Sequence, residues 1–86
     1  MAKIKVDDLL PTANVDPERV LRYAAMPSET QPPIQYILGR DGHCYVADGN
    51  HRLFAAILRG DPTVTAEPMK IAPEIKNRLL DMFESD

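Results

Sequence analysis

The sequence predicts an α+β fold, in which a small mixed β-sheet packs against helices. Short segments of alternating apolar and polar residues, which are typical of strands, are interspersed with segments of helical periodicity. Proline, glycine and aspartate stand between these segments at positions that start or end helices and turns. The chain of 86 residues, 44% of them hydrophobic, is long enough for one core but not for two. The predicted order is β-α-β-β-α-β-α, within a single domain over residues 1–86.

The first part of the chain is predicted to hold one strand and one helix. Residues 3–6 alternate polar and apolar as a half-buried strand does, and residues 7–11 lead into a loop. A helix starts at Pro17, because the oxygen of Asp16 is a good N-cap and proline suits the first helical position. This helix runs to about Met26. The apolar arc of this helix is formed by Val20, Leu21, Ala24 and Ala25. The opposite, polar side carries Arg19, Arg22 and Tyr23.

Two strands joined by a tight turn are predicted next. Residues 27–33 contain three prolines and are expected to form a loop. Residues 34–38 and 43–47 have the apolar composition of strands, and residues 39–42 between them end in Asp-Gly. Because glycine accepts the positive φ that a tight hairpin turn requires, this pattern predicts a β-hairpin.

A second helix, another strand and a last helix complete the prediction. The second helix runs from about His51 to Arg59 and ends at Gly60, since glycine is a usual helix terminator. Residues 63–67 alternate again and are predicted as a strand, and a proline starts the last helix over residues 73–84. The second helix is predicted to have a core face of Leu53, Phe54, Ile57 and Leu58, with Arg52 and Arg59 on the far side. The last helix has an apolar stripe of Ile75, Leu79, Met82 and Phe83.

The composition argues against several classes of protein. The net charge of −3 counts against a general nucleic-acid binder, which needs excess lysine and arginine to displace counterions from phosphates. The single cysteine, Cys44, cannot form an internal disulfide, which fits a reducing compartment. The start of the chain has no long apolar segment of the kind found in signal peptides, and no segment approaches the roughly 20 apolar residues of a membrane helix. We therefore expect a cytoplasmic protein with no membrane partner.

The segment from Asp48 to Arg52, which we call the α2 turn, is the first candidate for a ligand site. The start of a helix leaves backbone N–H groups unpaired and carries a partial positive charge, so it favours phosphate. Gly49 lets a ligand approach the backbone closely, and Arg52 can hold two phosphate oxygens at once. From helix geometry alone, an ordinary capped helix start is the simpler interpretation, with Asp48 or Asn50 as the cap and His51 on the surface.

Other polar side chains are weaker candidates. Arg19 and Arg22 lie three residues apart on one face of the first helix and can add positive charge to a phosphate site, although arginines opposite an apolar arc are usually solvated. His43, Cys44 and His51 lack the paired spacing found in zinc sites. The acidic residues that are candidates for holding Mg²⁺ or acting as a base are Asp7, Asp8, Asp48 and Glu67.

Three segments, taken in order, resemble the ParB/sulfiredoxin superfamily. They are VDPERVLRYA as an early helix, QPPIQYIL as a strand, and YVADGNHRLFAA as a strand, glycine turn and helix. The resemblance covers the core of the chain, residues 3–72. In this superfamily the matching turn binds nucleotide phosphates: CTP in ParB, ATP in sulfiredoxin, and ADP or ATP in the free serine kinases.

The resemblance implies a nucleotide ligand, CTP or ATP/ADP, with Asp48 as the candidate residue for a Mg²⁺ ion. His51 and Arg52 match the phosphate-contacting pair of the turn. Arg19 falls where sulfiredoxins place a phosphate-contacting lysine, and Arg22 falls where they place a hydroxyl residue, which is a looser match. The residues implied in binding the nucleotide or phosphate are Gly49, Asn50, His51, Arg52, Arg19 and Arg22.

The sequence departs from each of these relatives in a way that limits the implied function. Asn50 stands where sulfiredoxins carry their catalytic cysteine, and Cys44 lies too early to replace it, so sulfinic-acid reductase activity is not expected. Asp7, Asp8 and Asp48 are available as the acidic base that the kinases need, but the resemblance does not single out one of them. ParB proteins add a helix-turn-helix domain after the matching region, whereas residues 73–86 are enough for only one helix.

The leading interpretation is a stand-alone ParB-like domain that binds a nucleotide or other phosphate ligand. Its expected role is regulatory or DNA-associated, of the plasmid or phage partition type. The first alternative is an enzyme of the same fold, a small-molecule phosphotransferase, and the second is a DNA-binding or nuclease module. A third is an interaction module, in which the C-terminal helix pairs with a second copy in a homodimer or with a partner protein.

Overall fold

A computed structural model describes residues 2–26 and 31–84 and confirms the α+β class. The strands are β1 Ala2–Lys5, β2 Leu9–Leu10, β3 Ile34–Leu38, β4 Cys44–Asp48 and β5 Thr63–Pro68. The helices are α1 Pro17–Ala25, α2 Asn50–Arg59 and α3 Pro73–Glu84, and a single 3-10 turn spans Val6–Asp8. Of the loop predicted over residues 27–33, residues 27–30 lie outside the described residues.

The described strands form one mixed sheet in the order β1-β5-β3-β4-β2. β1 runs antiparallel to β5 and β3 runs antiparallel to β4, whereas β3 is parallel to β5 and β2 is parallel to β4. The predicted hairpin between β3 and β4 is confirmed. Its turn is closed by the N–H of Gly39, which donates to the carbonyl of His43 at 2.7 Å, and Gly42 takes the positive φ of 87° that the Asp-Gly pattern predicts.

The prediction for residues 7–11, as a segment leading into a loop, missed the short strand β2 at Leu9 and Leu10. They pair in parallel with Cys44 and Tyr45, and Leu9 is only 3% exposed. Two residues are too few to show the alternation that identifies a strand. The strand forms because Leu9 packs in the first core and the backbone of β2 pairs with β4, far along the chain. With β2 included, the observed order is β-β-α-β-β-α-β-α.

The sheet carries a separate apolar core on each of its faces, since successive side chains of a strand point to opposite sides. One core contains Leu53 of α2, and the other contains Leu80 of α3. These two helices therefore cover opposite faces of the sheet, and α1 packs beside α2. The buried residues are Leu9, Ile34, Val46, Leu53 and Ala66 in the first core and Ile37, Tyr45 and Leu80 in the second.

The predicted starts and ends of the helices are confirmed to within one residue. The Asp16 carboxylate accepts the backbone N–H of Glu18 at 3.1 Å and so caps α1, as the Asp-Pro pair predicts. Gly60 ends α2 in the left-handed conformation, with a φ of 79°. The start of α1 and the end of α2 each depend on residues that lie within one helical turn of that position. The local sequence therefore predicts both correctly.

The predicted core face of α2 is partly wrong. Leu53 is buried as expected, but Ile57 is 50% exposed and Leu58 is 59% exposed. Arg52, predicted on the far side, is only 8% exposed. The reason is that Ala55 and Ala56, both fully buried, have side chains small enough to let the helix backbone lie close to the sheet. A helix that is apolar on two faces does not indicate by its pattern which face is turned inward.

The apolar faces of the other two helices are also rotated from the prediction. On α1, Val20 is buried, whereas Leu21 and Ala25 are exposed. On α3, the buried residue is Leu80, which the predicted stripe omitted. Leu79 and Phe83 pack against the second core as predicted, whereas Ile75 and Met82 are exposed. The neighbouring element, which is α2 for α1 and the sheet for α3, selects a face that lies a fraction of a turn away from the apolar arc.

Candidate functional site

Gly49 forms the junction between β4 and α2 and requires glycine. Its φ is 110°, a left-handed conformation that side chains with a Cβ rarely adopt. A Cβ at this position would also lie 3.1 Å from both Nη2 of Arg52 and Cγ1 of Ile34. The groups that lie closest to Gly49 therefore belong to the protein itself, and the predicted approach of a ligand to this backbone stays a prediction.

The first turn of α2 has no side-chain cap. Gly49 is its N-cap, and the Gly49 carbonyl accepts the N–H of Leu53 at 2.9 Å. The expectation that Asp48 or Asn50 caps the helix is wrong, because the Asp48 carboxylate is paired with Arg52 and the Asn50 side chain is turned to Thr12. Within residues 2–26 and 31–84, no side-chain acceptor thus covers the N–H groups at the start of α2, and they carry the partial positive charge of the helix start.

Asn50 connects the start of α2 to the loop that follows β2. Its Oδ1 accepts the backbone N–H of Thr12 at 2.9 Å, and its Nδ2 lies 3.4 Å from Oγ1 of Thr12. The Thr12 hydroxyl in turn donates to the carbonyl of Val46 at 2.5 Å. Asn50 therefore holds the loop against β4 and α2, and this gives a structural reason for an amide at that position.

His51 connects the start of α2 to the start of α1. Its Nε2 accepts the backbone N–H of Asp16 at 3.1 Å. Because Nε2 acts as the acceptor, we assign the proton of the neutral ring to Nδ1. The two helix starts consequently lie side by side, and His51 is half-buried between them rather than projecting freely from the surface.

Arg52 stabilises the α2 turn by hydrogen bonds to the segment before β3 and to the end of β4. Its Nη1 donates to the carbonyls of Pro32 and Pro33 at 2.7 and 3.3 Å, and its Nη2 donates to the Asp48 carboxylate at 3.2 Å. The Asp48 side chain is 65% exposed, so this ion pair is weakened by solvent and the two carbonyl bonds are the firmer contacts. Arg52 thus fixes the segment before β3 to the end of β4.

Arg19 and Arg22 are both exposed on α1. Neither forms a hydrogen bond or an ion pair with any described residue, and Arg19 lies one turn beyond the helix start that His51 contacts. An open groove of about 490 Å³ lies beside the α2 turn, lined by Pro11, Thr12, Ala13, Asn14 and Phe54. The structure thus places an uncapped helix start beside an open groove, and both arginines lie on the neighbouring helix α1.

The proposed metal ligands do not form a cluster. Within residues 2–26 and 31–84, no three His, Cys, Asp or Glu side chains lie close enough to hold an ion together. His43 lies 3.1 Å from Asp41 on the β3–β4 turn, away from His51. Burial raises the pKa of the Cys44 thiol, which fits a small side chain at the edge of the first core. Of the other acidic candidates, Glu67 accepts a hydrogen bond from Gln35 at 3.3 Å.

Sequence reasoning missed Thr12 and the role of Asp16 as a partner of His51. Both contacts join residues that are far apart in the chain, by 38 positions for Thr12 and Asn50 and by 35 for Asp16 and His51. No local pattern could have indicated them, since each depends on the way the α2 turn packs against the loop and α1.

No family model and no curated protein matches the sequence. Among solved structures, the chain is similar to sulfiredoxin from Arabidopsis thaliana, with a TM-score of 0.70, 24% identity, and coverage of 92% of this chain and 94% of that one. It is also similar to the C-terminally truncated chromosome-partitioning protein ParB from Caulobacter crescentus complexed to the centromeric parS site, with a TM-score of 0.69, 17% identity and 92% coverage of this chain.

The same ParB protein complexed with CTP-γ-S is similar with a TM-score of 0.64, 16% identity and 94% coverage of this chain. The matched region spans 44% and 50% of the two ParB chains, about half their length. No helix among the described residues is long and apolar enough to cross a membrane. The structural similarity over nine-tenths of the chain, with TM-scores of 0.70 and 0.69, identifies the fold as ParB/sulfiredoxin-like.

Proposed function

We propose that this chain binds a nucleotide, or another small phosphate ligand, at the α2 turn. The observation that carries the proposal is the start of α2, which has no side-chain cap and lies beside an open groove. Backbone N–H groups at such a start are good donors to phosphate oxygens, and the helix dipole favours negative charge there. The groove lined by the Pro11–Asn14 loop and Phe54 has room for the rest of a nucleotide.

Each residue of the site has a separate role in this proposal. Gly49, Asn50 and His51 present backbone N–H groups to the phosphate, and Nδ1 of His51 donates a further hydrogen bond. Arg19 supplies positive charge from α1, and Arg22 does so from one turn further away. Arg52, which is bonded to two carbonyls and to Asp48, holds the turn in shape. Asp48 has an exposed carboxylate, and this is the group that would hold Mg²⁺ with the ligand.

The structural neighbours support this proposal as analogies. One ParB neighbour is complexed with CTP-γ-S, and another is complexed with the parS site. We propose that the ligand is CTP or an adenine nucleotide and that the chain acts as a ParB-like domain in a regulatory or DNA-associated role. The net charge of −3 indicates that any DNA association relies on a partner or a local patch.

A phosphotransferase activity is the second candidate, and the exposed Asp48 carboxylate favours it. This carboxylate lies at the edge of the proposed phosphate site, where it is able to accept a proton from an acceptor hydroxyl. In that case Asp48→Asn abolishes turnover while leaving nucleotide binding in place. Nucleotide binding without turnover in the wild-type chain rejects this second function.

The test is an amide-shift NMR titration with CTP, ATP and ADP, with and without Mg²⁺. We expect shifts at residues 48–53, at residues 11–16 and near Arg19. Arg19→Ala is expected to weaken binding about tenfold, the size of one charge-assisted contact. Arg78→Ala is the matched control, because Arg78 is also an exposed arginine with no partner among the described residues, but it lies on α3.

Two outcomes would reject the proposal. One is the absence of shifts with any of the three nucleotides at millimolar concentration. The other is an equal loss of affinity in Arg19→Ala and Arg78→Ala, which would indicate attraction to the general surface charge. Arg52→Ala is a poor probe of contact with the ligand, because the buried Arg52 side chain supports the fold itself.

A further inference from the structure

The outer side of α2 and the adjacent side of α1 form an apolar groove of about 400 Å³, which we call the α1–α2 groove. This groove is separate from the α2 turn, since it runs along the exposed sides of the two helices. Its walls include Pro17, Val20, Leu21, Phe54, Ile57 and Leu58.

The groove is unusual because α2 is apolar on two opposite faces. The inner face, with Leu53, Ala55 and Ala56, packs on the sheet and is buried. The outer face holds Ile57 and Leu58, which are half or more exposed. A helix that is apolar all round is normally buried all round, and monomeric proteins rarely expose a continuous apolar patch. The outer face of α2 therefore has the character of an interface.

Two side chains of opposite charge, Glu18 and Arg22, stand on α1 next to Pro17 and Leu21 of the groove wall. Glu18 and Arg22 are exposed, lie four residues apart on the same side of α1, and flank the exposed Leu21. Neither side chain forms a hydrogen bond or ion pair with any described residue. When this side of α1 meets its copy in antiparallel orientation, Glu18 of each copy faces Arg22 of the other. This side of α1 is therefore complementary to itself, which is the requirement of a two-fold interface.

We propose that the α1–α2 groove takes the same groove of a second copy of this chain, in a two-fold symmetric dimer. Leu21, Ile57 and Leu58 of each copy fill the groove of the other, and the two Glu18–Arg22 pairs close its edges. The low net charge of −3 per chain opposes this association only weakly. Phe54 lines both grooves, and Arg22 is also among the residues proposed to attract phosphate. The dimer is nevertheless tested apart from the nucleotide proposal, because Leu21, Ile57 and Leu58 line only the α1–α2 groove.

The first experiment compares two isoleucines of nearly equal exposure. Ile57 in the groove is 50% exposed and Ile75 on α3 is 52% exposed, so Ile57→Glu and Ile75→Glu place the same charge on the same type of side chain. We expect sedimentation analysis to give a dimer for the wild type at micromolar concentration. Ile57→Glu should weaken dimerisation at least about a hundredfold, because it buries an unpaired charge at the centre of the interface, and Ile75→Glu should leave it unchanged.

Circular dichroism shows whether both isoleucine variants remain folded. A wild-type chain that is monomeric at millimolar concentration overturns the proposal. An equal loss of dimer affinity in Ile57→Glu and Ile75→Glu also overturns the proposal, since self-association would then involve the C-terminal helix.

The second experiment tests the charge pairing directly. Glu18→Arg and Arg22→Glu each place like charges opposite one another across the two-fold axis, and each should weaken homodimerisation. An equimolar mixture of the two variants brings two arginines on one chain against two glutamates on the other. We expect native mass spectrometry of the mixture to show heterodimers at least about tenfold in excess of either homodimer. Mixing the two variants leaves the contacts within each helix unchanged. Homodimers and heterodimers in statistical proportions would therefore overturn the proposed pairing between copies.

Discussion

The backbone N–H of Asp16 donates to Nε2 of His51 across 3.1 Å and so joins the start of α1 to the first turn of α2. Asp16 is also the residue whose carboxylate caps α1. The Asp16 side chain thus accepts a backbone N–H at the start of α1, and the Asp16 backbone N–H is bound by His51 of the neighbouring helix α2. As a result, the candidate ligand site and the packing of the two helices depend on the same side chains.

His51 should contribute to stability through this single hydrogen bond. We expect His51→Ala to lower the free energy of unfolding by about 1 kcal/mol, the usual net value of one hydrogen bond. His51→Gln should recover part of that loss, because its amide oxygen can accept the same N–H. Urea unfolding of the three proteins measures the difference. A loss that is equal in both variants would show that His51 acts by packing rather than as an acceptor.

Substitutions of Asn50 should separate stability from ligand binding. Asn50→Ala leaves the N–H of Thr12 without its acceptor and is expected to cost about 1 kcal/mol of unfolding free energy. Asn50→Asp keeps an acceptor oxygen and adds a negative charge at a helix start, so its stability should equal or exceed that of the wild type.

The same Asn50→Asp charge should repel a phosphate at the α2 turn. We expect nucleotide affinity to fall about tenfold or more in Asn50→Asp, as measured by NMR titration or calorimetry. A stable Asn50→Asp variant with unchanged affinity would show that the ligand does not approach the start of α2.

Arg52 should be among the residues whose loss most destabilises the fold. Arg52→Ala removes the donor to two carbonyls and leaves a void behind the turn, so we expect a loss of about 3 kcal/mol in chemical unfolding. Arg52→Lys should recover little of it, because an ammonium cannot reproduce the forked geometry of a guanidinium. Arg78→Ala, on the exposed side of α3, should stay within about 0.5 kcal/mol of the wild type. A small effect of Arg52→Ala would contradict this stabilising role.

A pair on the opposite face of the sheet should govern stability at the extremes of pH. The Tyr45 hydroxyl donates to the Asp41 carboxylate at 2.5 Å, and this bond, with the backbone N–H of His43, lowers the pKa of Asp41 from 3.8 to about 2. The same hydrogen bond, with burial, raises the pKa of Tyr45 from 10.0 to about 12. Asp41 therefore stabilises the fold fully above its ordinary pKa, and this stabilisation is lost as the pH falls towards 2.

Tyr45 behaves in the opposite sense. Its contribution is complete below pH 10 and is lost as the pH rises through 12, because the folded state favours the protonated hydroxyl. The free energy of unfolding measured across the pH range should fall at both ends, and Asp41→Asn should flatten the acid end. Ultraviolet titration should contain a tyrosine component that ionises near pH 12. The absence of such a component would contradict the Tyr45–Asp41 bond.

The features that the sequence predicted are those governed by neighbours in the chain. The capped start at Asp16, the hairpin turn at Gly42 and the end of α2 at Gly60 each depend on the conformational preference of one or two residues. The strand β2 was missed for the complementary reason, since Leu9 and Leu10 have no local signal and are ordered by pairing with β4.

The sequence predicted the glycine turn at the start of α2, but not the contacts that hold it in place. The binding of a ligand at this turn stays a prediction. The cap expected from Asp48 or Asn50 was wrong because both side chains have stronger partners elsewhere, in Arg52 and Thr12. Those partners are brought close only when the loop after β2 and the segment before β3 are folded.

The sequence by itself determined the class of fold, the limits of its helices and the place of the glycine turn. The tertiary structure alone decided which face of α2 lies on the sheet, and with it the burial of Arg52 and the exposure of Ile57. The physical reason is the range of the interactions. Backbone preference and capping act within one turn, whereas α2, being apolar on two sides, is oriented only by the space that the sheet leaves for Ala55 and Ala56.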